Sequence, residues 1–172
     1  PQNLSKGAIT WPVGSSKKPQ YIVNSPESRP LLVPSSCYVL VKRFSAKEEA
    51  RRVVAALYDA THFDAPYVGV ENHLNYYHSN GAGLDTVLAK GLTVYLNSTF
   101  VDEYFRQFSG HTQVNAADLR RLQYPSREQL ESLGYLITDR FPSQAEVDQH
   151  VQEVLRAMDQ HLSQLDPLAV KQ

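Results

Sequence analysis

With a single cysteine, Cys37, in 172 residues, the chain has no disulfide framework and no multi-cysteine zinc site, which points to a reducing, cytoplasmic setting. No apolar run approaches the roughly 18 residues of a membrane-spanning helix and no signal peptide is visible, so no membrane partner is expected. Charge of one sign is not in excess either. The 17 Lys and Arg stand against 18 Asp and Glu, which excludes the strongly basic balance of many nucleic-acid-binding domains. No glycine-rich cofactor loop follows a strand, and no Gly-x-Ser-x-Gly nucleophile elbow occurs. An initiator methionine is also absent; the opening "PQNLSKG" reads as the start of an excised fragment.

What is there is enough for one buried core, since 42% of the residues are hydrophobic. The charges are unevenly spread. Residues 1 to 60 hold nine Lys or Arg against four Asp or Glu, an asymmetry that suits either a local anionic partner or a salt-bridged, solvated surface.

Six of the ten prolines fall in the first 36 residues, where "AITW", "QYIV" and "PLLV" alternate with turn-forming pieces; short strands with loop tips are expected. "CYVLVKRF", Cys37 to Phe44, is the strongest strand pattern, being rich in β-branched and aromatic residues. Ser45 to Glu48 has the form of a capping box, and Ala50, Val53, Val54, Leu57 and Tyr58 behind it predict a helix. A second strand-like piece, "PYVGVENHLNYYH", begins at Pro66. From Leu84 to Phe108 the apolar spacing predicts one long helix, interrupted at Gly91 if anywhere and stopped by Ser109-Gly110. Asn115 is placed to cap a short helix, Ser126 to Gln129 and Ser143 to Glu146 form two more capping boxes, and Val147, Val151, Val154, Leu155, Met158, Leu162 and Leu165 stripe the last helix. The sum is an α+β fold, a small twisted mixed β-sheet with packed helices, occupying 1–142, with a C-terminal helix and tail at 143–172.

Chemistry is harder to find. His73 and His78 lie five apart, and with His62 and His111 they make no recognisable metal spacing, so no metal is expected. Cys37 opens a buried strand and reads as core. "DAPY", Asp64 to Tyr67, approaches the Asn/Asp/Ser-Pro-Pro-Tyr loop of amino-group methyltransferases, but Ala65 replaces a proline and 63 preceding residues cannot hold a cofactor-binding half. A proline turn entering a strand is the simpler reading, and no catalytic or cofactor-binding residue is assigned. The cluster Asn72, His73, Asn75, Tyr76, Tyr77 and His78 combines amides, imidazoles and rings that read base edges and contact phosphates. Period-two alternation must bury about half of them. Lys17, Lys18, Lys42 and Arg43 offer phosphate contacts if their strands are neighbours.

"GLTVYLNSTFVDEYFRQFSGHTQVNAADLRRLQYPSREQLESLG", with "YVLVKRFSAKEEARRVVAALYD" and "YVGVENHLNYYH" before it, resembles the C-terminal part of adenine-specific DNA methyltransferases of restriction–modification systems. More distantly, "YLNS" and "SGHTQVNAADLRRLQYP" are similar to the closing signature of target recognition domains in type I restriction specificity subunits. The resemblance runs from about Ile9 to Gly134. It implies a domain that chooses the sequence of double-stranded DNA while a catalytic half, preceding Pro1 in the parent and holding S-adenosylmethionine, methylates N6 of a flipped adenine. It also implies that Ser109 to Asn115 is a structural turn, with His111 its exception reaching DNA, and that readout comes from the loops around Ser15 to Gln20, Asn24 to Arg29 and Asn72 to Gly83. The DNA-contact set expected is thus Lys17, Lys18, Lys42, Arg43, Asn72, His73, Asn75, Tyr77 and His111. Two alternatives stay open: the recognition half of a non-catalytic specificity subunit, and a protein-interaction module using the C-terminal helix.

Overall fold

The structure, a computed structural model, describes residues 3–14, 16–108 and 112–165. Its centre is a three-stranded antiparallel sheet in which β4 (Tyr38–Lys42) lies between β5 (Ala55–Tyr58) and β7 (Leu74–Tyr77). Tyr38, Val39 and Val41 are fully buried, as the β-branched, aromatic stretch predicts. Two smaller antiparallel pairs flank it: β1 (Leu4–Ser5) with β2 (Ala8–Ile9), and β3 (Leu32–Pro34) with β6 (Tyr67–Gly69). The β1–β2 hairpin turns on Gly7, whose φ of 76° is open to glycine at little cost, and whose N–H donates to the Ala55 carbonyl at 2.8 Å.

Alternation sorts the central sheet into two apolar faces. Val39, Val41, Ala55, Leu57 and Tyr77 pack with the helices, whereas Tyr38, Leu40, Ala56, Tyr58, Leu74 and Tyr76 join Leu4, Val33 and Val68 from the small strand pairs. The helical side consists of α1 (Thr86–Leu96), α2 (Thr99–Phe108), α3 (Ala116–Arg120), α4 (Arg127–Gly134) and α5 (Gln144–Leu165). The α+β class therefore holds. Its ladders are antiparallel throughout the named strands, the isolated bridge from Gly7 to Ala56 being parallel.

Caps account for the helix starts. Asp85 accepts from the N–H groups of Val87 and Leu88, Ser126 and Gln129 exchange bonds at the start of α4, and Ser143 and Glu146 do so at α5. Each satisfies a donor the helix cannot. Asn115 precedes α3, its N–H donating to the Asp118 carboxylate at 3.3 Å. The first turns of α5 belong to the main core, Val147 being fully buried and Val151 nearly so; the side chains of Met158, Leu162 and Leu165 lie outside the described ones.

"QYIV" forms no strand, residues 20–23 lying outside every named element, and two helix expectations fail. No helix follows Ser45: the chain turns, then enters β5. The reason is tertiary capture of its backbone. Arg106 of α2 donates to the Lys47 and Glu49 carbonyls, both at 2.9 Å, and the Asp102 carboxylate takes the N–H groups of Arg52 and Val53 at 2.6 and 3.1 Å. Those groups are the ones a helix would pair internally. The long helix, in turn, breaks at Asn97-Ser98 and not at Gly91. Ser98 Oγ accepts from the N–H of Val101, and Asp148 receives both the N–H and hydroxyl of Thr99, so α2 starts afresh. Gly91 serves packing: a Cβ there would drive into the Leu130 carbonyl, and one on Gly134 into that of Val87. Each helix of the α1–α4 pair thus provides a glycine where the other brings backbone.

Candidate functional site

β4 ends at Lys42; Arg43 and Phe44 follow directly, and two other segments close on that end. Arg43 N–H donates to the His73 carbonyl at 2.9 Å, and its own carbonyl accepts from Val114 N–H at 2.7 Å. Phe44 bridges to Gln113 and Ser45 N–H donates to the Thr112 carbonyl. Backbone groups of Thr112 to Val114 thus tie the polar turn before α3 to the sheet, in keeping with a scaffold role for that stretch. His111, Ser109 and Gly110 lie outside the described residues.

Four of the expected contact residues meet here. Lys42 stands opposite Leu74 in the ladder. The Arg43 guanidinium donates to the Asn72 carbonyl at 3.3 Å, Asn72 is exposed, and His73 lies half-exposed against Glu71, its ring 4.9 Å from that of Phe44. Phe44, 43% exposed, falls outside the expected set. The signal for it is a large aromatic at a strand end beside two cations. The edge presents cationic groups, an amide, an imidazole and a ring, a donor and stacking set suited to nucleic acid, with Glu71 as its one acidic member among the residues named.

The other expected residues stand apart. Asn75 and Tyr77 occupy the helix-side face of β7. The Asn75 amide donates to the Val114 carbonyl at 2.7 Å, and the Tyr77 hydroxyl meets that of Tyr124 at 2.7 Å. Burial first, then the Tyr124 hydroxyl, pushes the Tyr77 phenol well above its ordinary range, so both polar groups are committed inside the fold. Lys17 and Lys18 are exposed on a loop closed by Gln20, which brackets the Val13 N–H and carbonyl. That loop rests through Trp11 on Phe63, and Phe63 stacks on Tyr58, the partner of Tyr38 at the start of β4. The two basic pairs therefore belong to opposite ends of this strand.

Part of the N-terminal basic surplus is structural. Arg51 donates to the Asn97 and Ser98 carbonyls at 2.8 and 2.6 Å, closing the end of α1, and Arg52 is buried beside the Phe105 ring. Arg29 stacks over Tyr67, 3.2 Å from its centroid. Lys6 reaches Gln144 of α5 at 3.0 Å.

Cys37 is buried, and burial pushes its thiol up to about 11, the opposite of an activated nucleophile. Asp64 to Tyr67 enters β6 as a proline turn, the Pro66 carbonyl accepting from Ser35 N–H. Among the described residues no group of three or more His, Cys, Asp or Glu could hold a metal ion, and no helix is long and apolar enough to cross a membrane. A cavity of about 230 Å³ lies among Leu136, Thr138, Arg140, Pro142, Glu146 and His150. It is smaller than the usual site for a nucleoside-sized ligand, roughly 300 Å³ and upward, and the Arg140–Glu146 pair is satisfied internally. Neither the size of this cavity nor its internally paired Arg140 and Glu146 suits S-adenosylmethionine.

With this geometry, the chain is similar along nearly its whole length to part of the type II methyltransferases. It is 46% identical over 158 residues to the type II methyltransferase M.PstI of Providencia stuartii, and 47% identical over 141 residues to M.BsuBI of Bacillus subtilis. Those matches take in 92% and 81% of this chain but 31% and 28% of the relatives. The chain thus spans less than a third of the curated relatives it matches. No family model and no solved structure matches it.

Proposed function

We propose that this chain is the target recognition region of a site-specific adenine-N6 DNA methyltransferase, which binds duplex DNA and presents the target adenine to a catalytic part elsewhere in the same polypeptide. The observation that carries the reading is the shape of the match: nearly all of this chain, less than a third of two type II methyltransferases. The methyltransferase names of both relatives favour it over a non-catalytic specificity subunit. The interaction-module alternative loses support because Val147 and Val151, the start of the α5 stripe, are used in the core.

In this reading the end of β4 faces the duplex. Lys42 and Arg43 neutralise phosphates, Asn72 and His73 approach base edges, and Phe44 offers a ring for stacking; His111, adjacent in sequence to Thr112 of this edge, joins them. Lys17 and Lys18 grip the backbone farther along, since a duplex is long enough to be held from both ends of a five-residue strand. Asn75 supports this edge from behind through Val114, and Tyr77, opposite Val39, holds the other end of β7 to Tyr124. S-adenosylmethionine and the transfer step belong to the catalytic part.

A chimera tests the assignment. The full-length protein, with residues 9–134 exchanged for the matching stretch of a methyltransferase of different site, should methylate at the donor's site. Methylation retained at the original site would assign target choice to another region.

A further inference from the structure

Trp11, Tyr21, Ile22, Val23 and Leu31 are large hydrophobic side chains left exposed on one stretch of the chain, Tyr21 at 70%, Val23 at 79% and Leu31 at 69%. A soluble protein seldom turns consecutive apolar side chains to water without a partner. The stretch is built. Gln20 brackets Val13 with bonds of 2.6 and 2.9 Å, Trp11 Nε1 donates to the Gln20 carbonyl at 3.0 Å, and Ser28 Oγ donates to the Val23 carbonyl at 2.5 Å. The Trp11 ring meets Tyr21 edge-on at 4.7 Å, and Ile22 lies over Gly69 of β6. Its shape is therefore set in advance, which lowers the entropy cost of docking. Among the described residues no N–H from Tyr21 to Asn24 donates a hydrogen bond, so backbone groups stand ready as well.

Resting on the reading above, we propose that the Trp11–Leu31 face is the surface on which the rest of the full-length methyltransferase packs. The relatives are about three times as long as the part this chain covers, so a large partner is tethered to it at high effective concentration. DNA is disfavoured on the apolar patch itself because Tyr21, Ile22 and Val23 bring no cation to a phosphate, and the cations nearest in sequence, Lys17 and Lys18, are on the adjoining loop closed by Gln20. Exposed Glu27 fits the polar rim that surrounds an apolar contact, and Lys17 and Lys18 border it on the side where the DNA backbone is proposed to pass.

The test labels thiols in the full-length protein without DNA. Val23→Cys should react with a maleimide at least about tenfold more slowly than Tyr135→Cys, a distant site equally exposed in this chain, with the gap vanishing on denaturation. Rapid labelling at position 23 overturns the proposal, as does protection that appears only with added DNA or only at high protein concentration. Hydrogen exchange across residues 21–24 of the unsubstituted full-length protein reads the same face without a substitution: slow exchange is expected, and exchange at the open-chain rate refutes the docking. Site-specific methylation by that protein is scored in parallel, and its failure would sink the functional reading alone.

Discussion

Asn97, the residue after α1, closes β5 with its side chain: Nδ2 donates to the Ala55 carbonyl at 2.8 Å, and Oδ1 accepts from the Ala55 N–H at 3.2 Å. A buried amide thus joins Gly7 in covering the outer edge of β5. The same residue opens a formal Asn-Ser-Thr glycosylation triplet, and its full burial removes it from that chemistry.

Asn97→Ala should leave the Ala55 N–H without a partner, at roughly 1–3 kcal/mol for a buried group, while the Ala55 carbonyl keeps the Gly7 N–H. Urea unfolding measures the loss, and a change within error of zero would mean that β5 finds other bonds.

Gly91→Ala should also destabilise, against the usual sign. In an open helix the exchange gains about 1 kcal/mol, but here the new Cβ meets the Leu130 carbonyl, which cannot move without α4. Overpacking of this kind costs about 1–3 kcal/mol or more. A raised melting temperature would refute the close approach.

Lys42→Ala and Arg43→Ala, in the full-length protein, should weaken binding to all duplexes alike, and each should lower the salt slope by about 1, the value of one neutralised phosphate. Asn75→Ala should behave differently, since its amide holds Val114: stability falls by about 1 kcal/mol and site discrimination stays. Competition binding against single-base-pair variants separates the two. If Asn75→Ala loses discrimination at one position, that residue is a reader after all.

Alkaline pH should destabilise the fold through Cys37. Its thiol, raised by burial to about 11, keeps its proton in the native state while the unfolded thiol loses it above about 8.5. The stability is complete below that value and is lost as pH rises toward 11. Denaturant midpoints should decline from about pH 8.5 to 10, less steeply in Cys37→Ala, and native Cys37 should resist alkylation at about pH 8. Equal slopes in the two proteins would rule the thiol out.

Much of the fold is legible in the sequence. β4 announces itself by composition, and Ser126 and Ser143 by local chemistry that needs only three or four residues of context. The stretch after Ser45 misleads because its competitors lie some fifty residues on: Asp102, Arg106 and Asn97 claim backbone groups that a helix would have paired. Gly91 has the look of a breaker, whereas its reason is the carbonyl of Leu130. At the candidate interface, pattern shows that half the polar run from Asn72 to His78 must turn inward. Which half depends on the register of β7 against β4, and that is set by pairing partners no window of sequence contains.

The crossing of α1 and α4 works as a keyed joint. Gly91 receives Leu130, and Gly134 receives Val87, so the two notches engage together or not at all. Slippage by one helical turn would bring a side chain to each notch and wedge the helices apart. One relative position is permitted, and evolution can vary the loops on the far side of the sheet without the frame beneath them drifting.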